Sequence, residues 1–200
     1  MIILHNKMSA SRNKLLIIDN YDSFTYNLVH LVEKVSNVSF DVFRNDKISL
    51  DEINKYNRIL LSPGPGLPKD AGIMPELLKK YSSSKSILGV CLGLQAIGES
   101  FNAELKNLET VFHGIATRVE IVNDDKIFEN CPKQFNVGRY HSWVVDNKQI
   151  PSELVITAID DNKNIMALKH KTYDVRGVQF HPESILSEYG EVIIKNWLRI

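Results

Sequence analysis

The chain has 200 residues, 44% of them hydrophobic, with Lys+Arg 24 balanced by Asp+Glu 24. That composition is ordinary for a globular protein and excludes disorder as a whole-chain description. Zero formal net charge argues against nucleic acid or an anionic membrane surface as the main partner. A chain this long buries roughly 70% of its unfolded surface, so it needs no disulfide or structural metal to fold. Its two cysteines, Cys91 and Cys131, are too few for a disulfide framework and suit a reducing cytoplasm. No apolar run reaches the ~18 residues of a membrane span. The start, Met1 to Lys7, is too short for a secretory h-region and has no basic segment before it. Residues 1–14 read as an extension without assigned function, with Met8 as an alternative start. Residues 15–200 read as one domain.

Leu15–Asp19 is a short apolar run, as expected of a buried parallel strand. Ser23 is placed to cap the helix that follows, in which Phe24, Leu28, Leu31, Val32 and Val35 fall at helical spacing. Ser39–Arg44 alternates like a strand, and Leu50–Tyr56 reads as a short helix. Arg58–Ser62 is a second buried strand, stopped by Pro63-Gly64-Pro65-Gly66. Ile73–Tyr81 returns as a helix, with Pro75 tolerable in its first turn. Ser86–Val90 is a strand and Leu94–Phe101 a helix. This half is β-α-β-α-β-α-β-α, which implies an open parallel sheet with helices on both faces. The second half is richer in strands: Thr117–Val122, Asn136–Tyr140, Glu153–Ile159, Ile165–His170 and Val175–Phe180. Asp160–Asn164 is a turn cluster that predicts a hairpin, and a last helix is expected over Ser187–Leu198. The fold class is therefore α/β, a mostly parallel sheet with added antiparallel strands.

The segment Ile87-Leu-Gly-Val-Cys91-Leu-Gly93-Leu-Gln95 carries the strongest chemical signal. A strand runs into Cys91 and a helix starts directly after it, with glycine two residues to either side. This is a nucleophile elbow with sulfur as the nucleophile. The tight turn requires small neighbours, and a helix N-terminus stabilises negative charge beside it. It also offers the Leu92 N–H to an oxyanion formed next to the sulfur. Alone, a cysteine at a strand end reads as a small buried hydrophobe. The two glycines and the strand–helix switch favour the nucleophile.

Such a thiol needs a base. His181 follows the strand Val175–Phe180, at the carboxyl edge it shares with Cys91 if the strands are parallel. Glu183, two residues on and beyond Pro182, is placed to hold one imidazole nitrogen while the other faces the thiol. His113, His141 and His170 lack a carboxylate at usable spacing. No metal-ligand spacing occurs. Pro63-Gly64-Pro65-Gly66 ends a strand of the same sheet, and its glycines allow backbone N–H groups to approach a ligand. It is not a phosphate loop.

From Leu15 to Leu198 the chain resembles class I, or triad-type, glutamine amidotransferases, whose sheet is flavodoxin-like. The resemblance rests on Asp19-Asn-Tyr-Asp-Ser-Phe-Thr-Tyr-Asn27, Ser62–Gly66, Gly89–Gly93 with Gln95, Arg139-Tyr-His-Ser142 and Gln179-Phe-His-Pro-Glu-Ser184. The first of these, with Glu183–Gly190, looks like subunits serving chorismate-using synthases: anthranilate synthase component II and its 4-amino-4-deoxychorismate synthase counterpart. Gly72–Leu78 and Trp143 lean towards the anthranilate type. The resemblance implies that Cys91 attacks the amide of L-glutamine, that His181 with Glu183 moves the protons, and that Leu92 and Gly66 N–H groups hold the oxyanion. It implies that Gly64, Pro65, Gly66, Gln95, Ser142 and Trp143 bind glutamine. It implies a larger chorismate-binding component I that receives ammonia and carries magnesium, and no cofactor in this chain. Asp19–Asp22 and Ser184–Gly190 are expected near that partner. Many relatives have His at Leu94 and Lys at Ile115; neither departure touches the triad. Two further readings use the same residues: a stand-alone γ-glutamyl hydrolase, and a regulatory module that has lost catalysis, against which the retention of all three triad positions argues.

Overall fold

Short apolar strands buried on both faces need helices on both sides, and that requirement shapes this molecule. The computed structural model describes residues 14–200. The rest of the 1–14 extension, with Met8, lies outside the described residues; Lys14 itself opens the first strand, opposite Ser39. In chain order the strands are β1 (Lys14–Asp19), β2 (Ser39–Arg44), β3 (Arg58–Leu61), β4 (Ser86–Val90), β5 (Leu105–Asn107), β6 (Ile115–Ile121), β7 (Gln134–Arg139), β8 (Trp143–Val145), β9 (Leu154–Asp160), β10 (Ile165–His170) and β11 (Val175–Val178). The helices are α1 (Thr25–Val35), α2 (Met74–Tyr81), α3 (Leu92–Ser100) and α4 (Gly190–Arg199).

Nine strands form one sheet in the order β2-β1-β3-β4-β11-β10-β9-β6-β7. The first five run parallel, in the flavodoxin-like order expected from the sequence. The last four add on by antiparallel pairings. Strand alternation splits the core. Leu15 and Ile17 pack under α1 and α4, and Leu16 and Ile18 under α2 and α3. Each such residue, fully buried, contributes about 1.5–3 kcal/mol.

Several local expectations are corrected. Ser23 does not cap α1; Phe24 precedes the helix without a side-chain cap bond, and the Asp22 carboxylate instead accepts the Phe24 N–H at 2.7 Å. The expected helix at Leu50–Tyr56 is a 3-10 turn, Asp51–Lys55. The strand expected to reach Phe180 stops at Val178, and the last helix starts at Gly190 rather than Ser187. The short β5–β8 ribbon carries too few residues for a periodic signal. The Asp160–Asn164 hairpin is present: Asp160 Oδ1 accepts the N–H groups of Asn162 at 2.9 Å and Asn164 at 2.8 Å.

The sheet and α3 touch at two glycines. A Cβ on Gly89 would lie 2.3 Å from the backbone carbon of Gly93, and one on Gly93 would lie 2.7 Å from the Leu61 carbonyl oxygen. Backbone cannot yield as a flexible side chain can. Gly89→Ala is therefore expected to cost roughly 1–3 kcal/mol or more through overpacking. Gly66→Ala, where φ is +76° but no atom crowds the new carbon, should cost about 1–2 kcal/mol through conformation alone. Urea unfolding of both variants checks the order; a larger loss at Gly66 would contradict it.

Candidate active site

β4 ends at Val90 and α3 begins at Leu92, so Cys91 makes the turn alone. Its backbone, φ 51° and ψ −101°, lies in a sparsely populated region. Such strain costs on the order of 1–3 kcal/mol and persists only where the surroundings impose it. Here Gly89 and Gly93 press the helix onto the strand, and the Cys91 N–H is tied to the Val178 carbonyl at 2.8 Å. The side chain stands in front of the first turn of a nine-residue helix, with the Leu92 N–H next to it. Leu94 points the other way, into the core above Gly177, and does not line the pocket.

β11 runs parallel to β4 with Val178 opposite Val90, so His181 emerges at the same edge as Cys91. A backbone bridge, His181 N–H to the Gly138 carbonyl at 3.0 Å, holds that segment against β7. His181 Nδ1 lies 2.7 Å from Glu183 Oε1, and both side chains are buried. Phe24 and Tyr140 set their rings edge-on to the imidazole, with centroids 5.4 and 4.8 Å away. Burial opposes charge on His181, but the nearby Cys91 sulfur and the Glu183 carboxylate outweigh it and raise the imidazole to about 10. A charged His181 beside a sulfur and a carboxylate suits a group that accepts and returns protons.

A cavity of about 370 Å³ opens beside Cys91. Gly64, Pro65 and Gly66 line one side, Leu92 and Gln95 the floor, and Ser142 and Trp143 the far wall. All six positions singled out for glutamine thus border one space, together with the sulfur. Gln95 Nε2 donates to the Trp143 carbonyl at 2.9 Å and to Gln179 Oε1 at 3.3 Å. Gln179 Nε2 in turn donates to Cys91 Sγ at 3.5 Å. In the loop after β3, Pro63, Pro68 and Ala71 are buried and Gly64 packs closely against Asn20 and Leu92, while Pro65 and Gly66 are exposed. The residues that sequence reasoning did not single out are Gln179, Phe24 and Tyr140. All three stand inside the quoted motifs; only three-dimensional proximity to Cys91 and His181 gives them a role. A larger concavity, about 1100 Å³, lies between β6 and α4 and holds none of these residues. Among the described residues no group of three or more His, Cys, Asp or Glu is arranged to hold a metal, and no helix is long and apolar enough to cross a membrane.

Comparison with known proteins agrees with this arrangement. The family model for glutamine amidotransferase class-I matches residues 16–200. A Haemophilus influenzae protein, provisionally named anthranilate synthase component II, is 45% identical over 94% of this chain and 96% of its own. Anthranilate synthase component 2 of Pyropia yezoensis is 43% identical over 92% of this chain and 98% of its own. Among solved structures, a Thermoplasma acidophilum protein provisionally described as part of a GMP synthase superposes with a TM-score of 0.84. It is 23% identical, covers 94% of this chain and 93% of that one, and shares the fold.

The two cysteines should react differently. Cys91 stands at the elbow beside His181, whereas burial pushes the Cys131 thiol up to about 11. A diazoketone analogue of glutamine is expected to label Cys91 and leave Cys131 unmodified at neutral pH. Peptide mapping by mass spectrometry reads the outcome, and label on Cys131 would overturn it.

Proposed function

The chain belongs to the class I glutamine amidotransferases, and on that premise we propose that it is the glutaminase subunit of an anthranilate synthase. It hydrolyses L-glutamine to glutamate and passes ammonia to a larger, chorismate-aminating partner. The observation that carries this reading is the His181–Glu183 pair at 2.7 Å behind the strained elbow of Cys91. The near full-length relatives named anthranilate synthase component II support the pathway. Residues 15–200 act as one amidotransferase domain, working in the cytoplasm.

The Cys91 sulfur attacks the side-chain amide carbon of glutamine. The tetrahedral oxyanion is held by the N–H groups of Leu92 and Gly66. His181 gives its proton to the departing nitrogen, which leaves as ammonia, and a γ-glutamyl thioester remains on the sulfur. His181, now neutral, takes a proton from water; hydroxide adds to the thioester, and glutamate leaves as the sulfur is regenerated. Glu183 keeps Nδ1 protonated and steadies the imidazolium. Gln95, Ser142, Trp143 and the Gly64–Gly66 turn grip the amino-acid end.

Cys91→Ala should abolish glutamine-dependent anthranilate formation while ammonium salts still feed the partner. His181→Asn should cost about 10²–10⁴-fold, the scale of general acid–base catalysis. Glu183→Gln should cost less, because an amide keeps one hydrogen bond. Steady-state assay of the reconstituted complex with chorismate reads all three. Equal losses at His181 and Glu183 would contradict the roles assigned, and 4-amino-4-deoxychorismate as the product would move the chain to the other synthase.

The isolated chain should hydrolyse glutamine slowly. Gly66 lies in the exposed stretch of its loop, and among the described residues no atom lies within 4 Å of where its Cβ would stand. A partner docked there would set the second oxyanion donor, and one such donor is worth roughly 10²–10³-fold in rate. Glutamate release is measured for the chain alone, with partner, and with partner and chorismate. Full rate in isolation would dismiss partner gating and favour a stand-alone hydrolase.

A further inference from the structure

Behind the far wall of the pocket runs a buried polar chain that the reaction above does not use. Arg139, 1% exposed, pairs with Asp160 at 2.8 Å, and its guanidinium lies 3.6 Å from the centre of the Phe112 ring. Arg139 Nε donates to His141 Nε2 at 3.1 Å. A guanidinium has donors only, so Nε2 must accept, and the imidazole proton must sit on Nδ1. Nδ1 lies 3.0 Å from the Trp143 carbonyl oxygen and donates to it. That same oxygen takes the hydrogen bond from Gln95. The carbonyls of His141 and Ser142 are engaged as well, by the N–H groups of Phe112 at 3.0 Å and Leu108 at 2.7 Å. All three carbonyls of this wall are therefore fixed.

We propose that Arg139 and His141 are positioning residues for the glutamine pocket: Arg139 sets the Nδ1–H tautomer of His141, and His141 with Gln95 clamps the Trp143 carbonyl. The proposal deepens the glutaminase reading and rests on it. Because Gln95 uses both amide hydrogens, on Trp143 and Gln179, its remaining hydrogen-bonding atom is the acceptor Oε1, which matches the ammonium group of an amino acid. Losing the His141 donor frees the Trp143 carbonyl and lets the Gln95 amide turn. The ring stays neutral: burial first, then the Arg139 charge, pushes His141 down to about 3, with a smaller push from His181. The Trp143 carbonyl and Asp160 act in the opposite sense and are outweighed. His141 is thus no second base for Cys91, although it borders the same cavity.

His141→Leu removes the donor, and His141→Asn places an amide donor near the former Nδ1. In the complex with its chorismate-using partner, His141→Leu should raise KM for glutamine about 3–10-fold, the scale of one lost hydrogen bond, with kcat little changed. His141→Asn should recover most of the loss. Nitrogen NMR of the full-length wild-type chain, with labelled histidine, should show His141 neutral and protonated on Nδ1 throughout pH 5–8. A titrating or Nε2-protonated His141 overturns the assignment, as does a fall in kcat at constant KM or no kinetic effect in either variant. If His141→Leu does not fold, His141→Asn and the NMR spectrum decide. If the wild-type complex consumes no glutamine, the glutaminase reading fails and the pocket role falls with it, while the tautomer remains separately readable.

Discussion

Val90 and Val178 face each other across a parallel pairing, and both strands leave the sheet within a residue of that rung. Every functional distance at the pocket descends from this register. β4 delivers Cys91, β11 delivers Gln179 and His181, and the Cys91 N–H to Val178 carbonyl bond is the last tie before the chains part. A slip of one residue would exchange the two faces of β11 and take the imidazole away from the sulfur. The register is protected by shape. Gly89 and Gly177 are opposite one another, and α3 rests on both, with Leu94 above Gly177 and Gly93 above Gly89. Only this alignment puts two strand glycines beneath the helix.

The helix in turn stabilises a backbone that Cys91 would not adopt by itself. Strain at one residue is tolerable because the surrounding contacts are many and apolar: α3 is buried from Leu92 to Gly98. The polar groups of the site follow another rule. Unpaired, a buried charge costs several kcal/mol, and each one here has a partner of opposite sign or a fixed dipole. His181 has Glu183, and Arg139 has Asp160. The two pairs flank the cavity, one behind the sulfur and one behind the opposite wall. Such pairs gain little net stability, but they leave few alternative arrangements of the groups they hold.

Much of this was legible in the residues. Apolar runs of four to six residues, spaced by helical periods, announce a parallel sheet because few other arrangements bury such strands on both faces. The elbow was legible because its steric demand leaves a glycine on each side of Cys91. His181 and Glu183 were legible as a pair two residues apart beyond a strand. What stayed hidden depends on contacts distant in sequence. Gln179 reads as a strand-end polar residue until Gln95 is seen against it. His141 seemed to lack a carboxylate; Asp160 reaches it through Arg139, across the intervening strand β6, an adjacency that local spacing does not encode. Ser23 misled because its neighbour Asp22 supplies the same kind of oxygen from a better position.

The bridge between His181 and Gly138 ties the imidazole's segment to the antiparallel half of the sheet. On a ribosome, Cys91 would emerge roughly 5–20 s before His181 at ordinary elongation rates. β3, β4 and α3 outline the elbow, β11 completes it through the Val178 carbonyl, and the imidazole is seated only after β7 and β11 have both joined the sheet. Contacts so far apart in the chain form late in folding. Thiol and imidazole therefore come together only once the last strands are in place, and an unfinished chain holds Cys91 without His181 beside it.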